Sequence, residues 1–547
     1  MTNREITEDD IASAEKLLGI AYTARERAQM VGNLDAQIDS AVARRALQIP
    51  NSVPMALRFD PRLPGFEMPT ASGVTGSAPD TPLPSTDEDI AFATLPELGA
   101  WIRSGALTSR RLTEIYLARI ETLNPLLKCY ATITPDLARA EADAMDALTA
   151  QGQNLGPLHG IPYGLKDLFD TAGITTGWGA EPYQDRVPDT DARIVTLLRA
   201  AGAVLLGKTT LGALAYSDTW YGGRTNNPWN PEEGSSGSSA GSGSATAAGL
   251  CGFSIGTETL GSITSPCQRN GTTGLRPTFG RVSRAGGMAL CWSLDKVGPI
   301  CRAVEDCALV LDAINGPDIN DRCTIAAPFA FDAGKGIDGL KLGYLPEAFG
   351  DSATDVDHAA LDAARRLGID VVPVSLPDLP YGSLMNSLYA EAAATFEPLT
   401  LDDLDDTLSW QADGAWPNTF RKARFLSAVD QVQLDRLRYL TMQALDDMFR
   451  GIDALIGPFM TGPMLVASNF TGHPCLHLRA GFIQMATRGA SSLGAGKLTT
   501  GTAGDGETHR VPQGISIWGR LFDEGTILTL GQALEAELDV ARLRPSL

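Results

Sequence analysis

Three short stretches hold residue types that could do chemistry together. "GIPYGLKDLFD" (160–170) sets Lys166 among apolar and glycine neighbours. "EEGSSGSSAGSGS" (232–244) packs six serines and four glycines into thirteen residues, and "GFSIGTETLGSITSP" (252–266) places Ser262 after Gly261. A serine hydroxyl is a weak nucleophile at neutral pH and needs a base to take its proton. The chain offers only five histidines, His159, His358, His473, His477 and His509. A lysine does the same work only when neutral, a state that burial in a low-dielectric pocket favours. The apolar setting of Lys166 suits that role; the alternative is a structural lysine paired with Asp167 or Asp170. The residues alone leave open which serine attacks and which assists, because Gly-Ser-Ser occurs twice, at 234–236 and 237–239.

Two other motifs compete and fail on context. "GAVLLGKT" (202–209) fits the phosphate-binding pattern GxxxxGK[ST] letter for letter. That mechanism needs open backbone N–H groups, whereas Ala-Val-Leu-Leu reads as a buried strand with Lys208 pointing outward at its end. Gly237 to Gly241 fits GxSxG, centred on Ser239 with His473 as a later base. An elbow of that kind needs a central strand before it, and "TNNPWNPEEGS" is too rich in Pro and Asn to supply one. His473 and His477 are separated by Pro474 among others and form no zinc pattern. No metal and no cofactor are expected.

The elements that must position these residues read as α/β. The 547 residues are 44% hydrophobic, enough for a large core. A net charge of −21 repels phosphate backbones, so nucleic acid is not an expected partner. No window holds eighteen consecutive apolar residues, so no membrane span is expected. "MTNREITEDD" lacks a basic segment followed by an apolar one, and eight sparse cysteines without a CxxC pair fit buried thiols in a reducing, cytoplasmic setting. Residues 6–48 predict two helices, the first capped by Thr7 with Asp10 three residues on, the second carrying Met30, Leu34, Ile38 and Val42 as one stripe. A Pro-rich linker follows over 51–87. From about 88, helices alternate with short apolar strands such as 204–209, "DVVPVSL" and "GIDALIGPFM". The Gly/Ser/Thr-rich stretch 489–507 reads as a mobile surface loop.

In chain order the chemical residues are Lys, Gly-Ser-Ser, then Gly-Ser, and this resembles the amidase signature family. The likeness extends from about residue 88 to the C-terminus. It includes "TNNPWNP" (225–231), "GTTGLRPTFGRVS" (271–283), "LDKVGPICRAVEDCALVLDAINGPD" (294–318), "TGHP" (471–474) and "GRLFDEGTILTL" (519–530). It implies a Ser–cis-Ser–Lys triad: Ser262 attacks the carbonyl carbon and is acylated, while a second serine relays its proton to Lys166. The spacing that the family keeps selects Ser238, 24 residues before Ser262, over Ser235, 27 before it. The Gly237–Ser238 peptide bond is then expected to be cis. Backbone N–H groups of Thr259, Leu260, Gly261 and Ser262 are the implied oxyanion hole. This chain departs from the family's Gly-Thr-Asp-Thr-Gly-Gly-Ser at Glu258 and Leu260, and has Thr264 where Arg is common.

The implied fold is α/β: one large domain (88–547) with a central mixed, twisted β-sheet covered by helices on both faces, preceded by an N-terminal helical extension (1–50) and the linker (51–87). Residues 340–460 form its variable substrate-binding region. Tyr216, Trp220 and Ser239 are candidate substrate contacts, with Trp410, Trp416 and Phe420 as further aromatics. The implied function is hydrolysis of a small-molecule amide, ester or carbamate. The alternative is a glutamine amidase subunit supplying ammonia to a partner amidotransferase, since the first helices and the Pro-rich strap resemble that enzyme's small C subunit. The extension is otherwise expected to wrap the core or to aid a homodimer.

Overall fold

The structure is a computed structural model that describes residues 5–47, 49–494, 497–502 and 507–547. Eleven strands form its main sheet: β1 (Tyr130–Ile133), β2 (Pro162–Lys166), β3 (Val204–Thr209), β4 (Phe253–Glu258), β5 (Thr273–Arg276), β6 (Lys296–Cys301), β7 (Lys341–Tyr344), β8 (Asp370–Pro373), β9 (Ala454–Pro458), β10 (Cys475–Ala486) and β11 (Thr508–Gly519). Their spatial order is β8-β7-β9-β11-β10-β5-β6-β4-β2-β3-β1. The sheet is mixed, with β2 running parallel to both β3 and β4, and β6 antiparallel to β4 and β5.

Every residue of β2, β3 and β6 is buried, which requires cover on both faces. On one face Leu476 lies within reach of Gly531 in the C-terminal helix Glu524–Leu538. On the other, Gly274, the register partner of His477, faces Cys267 of helix Thr264–Asn270. This is the expected mixed α/β architecture, and it places the C-terminal ends of the parallel strands β2 and β4 side by side.

The helices Glu8–Leu18 and Ala24–Arg45 form where expected, each opened by a capping box, Thr7 with Asp10 and Thr23 with Glu26. The second buries none of its residues, so its apolar stripe covers nothing fully; an ion pair from Arg44 to Glu397 ties its end to the body. The strap that follows lies along the main domain and pairs Gly73–Thr75 with Ala330–Asp332. Two readings need correction. Lys208 does not point outward: it is fully buried, donates to the Phe169 carbonyl and Thr176, and pairs with Asp167 at 3.3 Å. Of the stretch 489–507, residues 495–496 and 503–506 lie outside the described residues, but Arg488–Gly494 and Lys497–Thr502 pair as antiparallel strands. The β10–β11 ladder, which runs as far as Ala486 opposite Thr508, brings the two ends of this stretch together, and β-branched threonines suit a strand there.

Candidate active site

Lys166 ends β2 and is fully buried. Its Nζ lies 2.9 Å from Ser238 Oγ, 2.9 Å from Ser239 Oγ and 2.8 Å from Thr257 Oγ1, with the Thr257 carbonyl at 3.4 Å. Its neighbouring carboxylates are engaged elsewhere: Asp167 faces Lys208, and Asp170 takes Arg186 at 2.7 Å. Burial holds the Lys166 amine well below the usual lysine value, against the weaker upward pull of Asp295 and Glu258. The amine is therefore a buried base surrounded by hydroxyls and not half of a salt bridge.

Ser238 and Ser239 come from the loop before helix Ala240–Ala247, and the Gly237–Ser238 peptide bond is cis. The small residues there have a steric reason. A Cβ on Gly237 would overlap the Ser217 carbonyl, and one on Gly241 would overlap the Cys129 carbonyl. The two serine hydroxyls are not equivalent. Ser239 Oγ donates to the Thr257 carbonyl (3.1 Å) and accepts from Thr257 N–H (3.1 Å) and Lys166. Its proton is committed, whereas Ser238 Oγ has only Lys166 as a partner among the described residues. Ser239 thus fastens the loop to the end of β4 and does not line the cavity beside Ser262.

Ser262 lies in the turn between β4 and helix Thr264–Asn270, 8% exposed and lining that cavity. Among the described residues its hydroxyl makes no hydrogen bond; its carbonyl accepts from Ser239 N–H at 3.2 Å, which ties the two serine loops together. The N–H groups of Thr259, Leu260, Gly261 and Ser262 donate to no protein group among the described residues. Sequence reasoning did not foresee what holds this turn. The Glu258 carboxylate accepts from Ile263 N–H (2.9 Å), Thr264 N–H (3.0 Å), Thr264 Oγ1 (3.2 Å), Arg276 (2.7 Å) and Asn469 (3.0 Å). Burial works to raise its pKa, but Arg276 and the Thr264 amide outweigh it and hold the carboxyl at about 2. On the far side Thr259 Oγ1 donates to Asp295 at 2.6 Å.

The cavity beside Ser262 measures about 70 Å³. Tyr216, Leu260, Leu290, Met385, Tyr389 and Trp416 give it an apolar, aromatic wall, and no charged side chain among the described residues lines it. Tyr216 packs against Trp410 and Trp416, with ring centroids 5.1 and 4.9 Å away, and Phe420 stacks behind Trp416. Trp220 belongs elsewhere: it packs edge-on against Tyr221 in a small hairpin and does not reach this wall. The local sequence could not reveal this, because the tight turn at 221–222 folds the indole back over Gly222.

The competing motifs also resolve. Before Ser239 the chain forms only the short strand Asn230–Gly234, outside the main sheet, so Ser239 stands on no nucleophile elbow. His473 is buried, its Nδ1 is 2.7 Å from the Thr471 hydroxyl, and among the described residues its ring makes no hydrogen bond to a serine; burial holds its imidazole down at about 3. Residues 204–209 are the buried strand β3, not a phosphate loop.

The amidase family model matches residues 111–528. The A subunit of the glutamyl-tRNA(Gln) amidotransferase from Synechococcus sp. (strain WH7803) is 33% identical over 495 residues, covering 81% of this chain and 97% of that protein. The native peptide amidase of Stenotrophomonas maltophilia superposes with a TM-score of 0.70 at 29% identity, covering 83% of this chain and 98% of that one. A chain from an inhibitor-bound structure of a vestigial protein complex, described as revealing the evolutionary origins of an s-triazine catabolic enzyme, matches at a TM-score of 0.70 and 29% identity over 83% of this chain and 100% of that one. The chain belongs to the amidase signature family and is a hydrolase of carbon–nitrogen amide bonds.

Proposed function

We propose that this protein hydrolyses small neutral amides through an acyl-enzyme on Ser262, with Ser238 as proton relay and Lys166 as base. The observation that carries the reading is the buried Lys166 amine, paired with no carboxylate and set 2.9 Å from Ser238, which, unlike Ser239, has its proton uncommitted. Ser262 Oγ attacks the substrate carbonyl carbon and passes its proton through Ser238 to Lys166. The N–H groups of the 259–262 turn face the charge that develops on the carbonyl oxygen. The relay then runs in reverse: Lys166 and Ser238 return a proton to the leaving nitrogen, and the C–N bond breaks. Water, activated by the same pair, releases the acid.

The acyl group is expected to be uncharged, because the cavity beside Ser262 has an uncharged, largely apolar lining. Esters and carbamates with the same acyl portion fit the same chemistry. Eight free cysteines, seven of them buried, suit a reducing compartment such as the cytoplasm.

The second reading, a glutamine amidase subunit working with an amidotransferase partner, is favoured by the names of the relatives. It conflicts with the cavity wall, since glutamine carries an ammonium and a carboxylate that need charged or strongly polar partners. A panel of neutral aliphatic and aryl amides beside L-glutamine decides between them. Turnover of the neutral amides with little or none of glutamine is expected; a preference for glutamine would overturn the reading.

A further inference from the structure

We infer that the N-terminal strap is part of the catalytic apparatus, and that Asn51 is a positioning residue for the turn that carries Ser262. The inference rests on the reading of Thr259–Ser262 as the oxyanion turn. The strap grips one loop, residues 288–296, at two points. At the first, Asn51 Nδ2 donates to the Ala289 carbonyl (2.9 Å) while Ala289 N–H donates to Asn51 Oδ1 (3.0 Å). A side-chain amide thus pairs with both polar groups of one backbone residue, as a neighbouring strand would. At the second, the Phe59 ring lies under the Arg438 guanidinium, 3.4 Å from ring centroid to carbon, and Arg438 donates to the Ser293 carbonyl and hydroxyl.

The gripped loop touches the site twice. Leu290, next to Ala289, lines the cavity beside Ser262. Asp295 spans the loop and the turn: one oxygen accepts Leu290 N–H (2.8 Å) and Cys291 N–H (3.0 Å), and the other accepts Thr259 Oγ1 (2.6 Å). The path from Asn51 to the oxyanion turn is therefore continuous: Asn51 to Ala289, the next backbone amides to Asp295, and Asp295 to Thr259. Between the strap and the turn lies a second cavity of about 400 Å³, bounded by Pro50–Asn51 and Phe59 on one side and by Thr257, Thr259 and Asp295 on the other. The body also holds this loop, through Met288 N–H on the Leu168 carbonyl, Thr395 on the Leu290 carbonyl and Ser293 on Glu391, whereas the side-chain hydrogen bonds to Ala289 come from Asn51.

The test measures the rate at which a fluorophosphonate labels Ser262 in the full-length protein, for wild type, Asn51→Ala, Thr259→Val and the double variant. Asn51→Ala is expected to slow labelling roughly ten- to a hundredfold, the usual effect of a displaced donor at a reacting centre. Thr259→Val cuts the path at its end, so adding Asn51→Ala to it should slow labelling little further. Asn51→Gln, which keeps the amide, should recover part of the rate. Equal rates for wild type and Asn51→Ala, or independent effects that multiply in the double variant, would overturn the inference while leaving the Ser262 reading intact. Failure of wild type to label at Ser262 would overturn both. Phe59→Leu, which weakens the second grip without touching the first, guards against a folding defect in Asn51→Ala and should give a smaller slowing of the same kind.

Discussion

Replacing Glu258 by glutamine keeps the shape of a fully buried side chain and removes its charge. The carboxylate accepts five hydrogen bonds and holds both Arg276 and the backbone that follows Ser262. A glutamine has one acceptor oxygen and one donor nitrogen, so either the two amides of Ile263 and Thr264 or the pair Arg276 and Asn469 must face N–H groups with N–H groups. Its folded pKa of about 2 lies below the 4.5 of a free glutamate. That difference, about 2.5 pH units, corresponds to about 3 kcal/mol, which matches the roughly 3–5 kcal/mol seen when one partner of a buried ion pair is removed. The folded value is depressed, so this stability is present above the unfolded pKa and is lost as pH falls through about 2. Urea unfolding at neutral pH should therefore find Glu258→Gln about 3 kcal/mol less stable than wild type, with the gap closing toward acid. Because the same carboxylate sets the Ser262 turn, kcat should fall about a hundredfold. A variant within roughly 0.5 kcal/mol of wild type at neutral pH, the range of an ordinary surface substitution, would refute the reasoning. So would a gap that does not change with pH, or an unaltered kcat.

Lys166→Met should abolish turnover and raise the thermal midpoint at neutral pH. The lysine's folded value lies below its unfolded one, so the unfolded chain binds more protons between the two and the wild type is penalised there; a midpoint that falls would contradict this. In the wild type, kcat should rise with pH as Lys166 loses its proton, with the midpoint of that limb below the ordinary lysine value of 10.5. Ser238→Ala should lower kcat by about 10²–10⁴ with little change in thermal midpoint. Ser239→Ala should lower the midpoint and reduce kcat less, since it unties the loop from Thr257; the opposite order in kcat would make Ser239 the relay.

Much of this is legible in the sequence because it is written locally. The cap at Thr7, the buried strand at 204–209 and the three chemical stretches are each contained in a dozen residues or so. The order Lys, Gly-Ser-Ser, Gly-Ser, read with the serine spacing of the family it resembles, points to Lys166, Ser238 and Ser262, and the fold sets Lys166 against Ser238 with Ser262 in the adjoining turn. What the sequence hides depends on pairings distant along the chain. Lys208 turns inward because Asp167 and the 169–176 loop, more than thirty residues earlier, offer it acceptors. Thr257 reads as a spacer, and only the pairing of β2 with β4 brings it to Lys166. Glu258 reads as a departure from the family pattern, but its grip on Ile263 and Thr264 depends on Arg276 and Asn469, the latter 211 residues away. Asn51, 238 residues from Ala289, sits in a linker with no periodicity to mark it. Trp220 is aromatic and near the motif, and composition alone does not tell which way its hairpin turns.

Ser262 as the nucleophile, with Lys166 and Ser238 as its base and relay, is the claim on which the proposed chemistry rests. Intact protein treated with a fluorophosphonate, digested and mapped by mass spectrometry gives the decisive measurement. One adduct on Ser262 is expected, absent in Ser262→Ala and strongly slowed in Lys166→Met. An adduct on another residue, or amide turnover that survives Ser262→Ala, would contradict the mechanism.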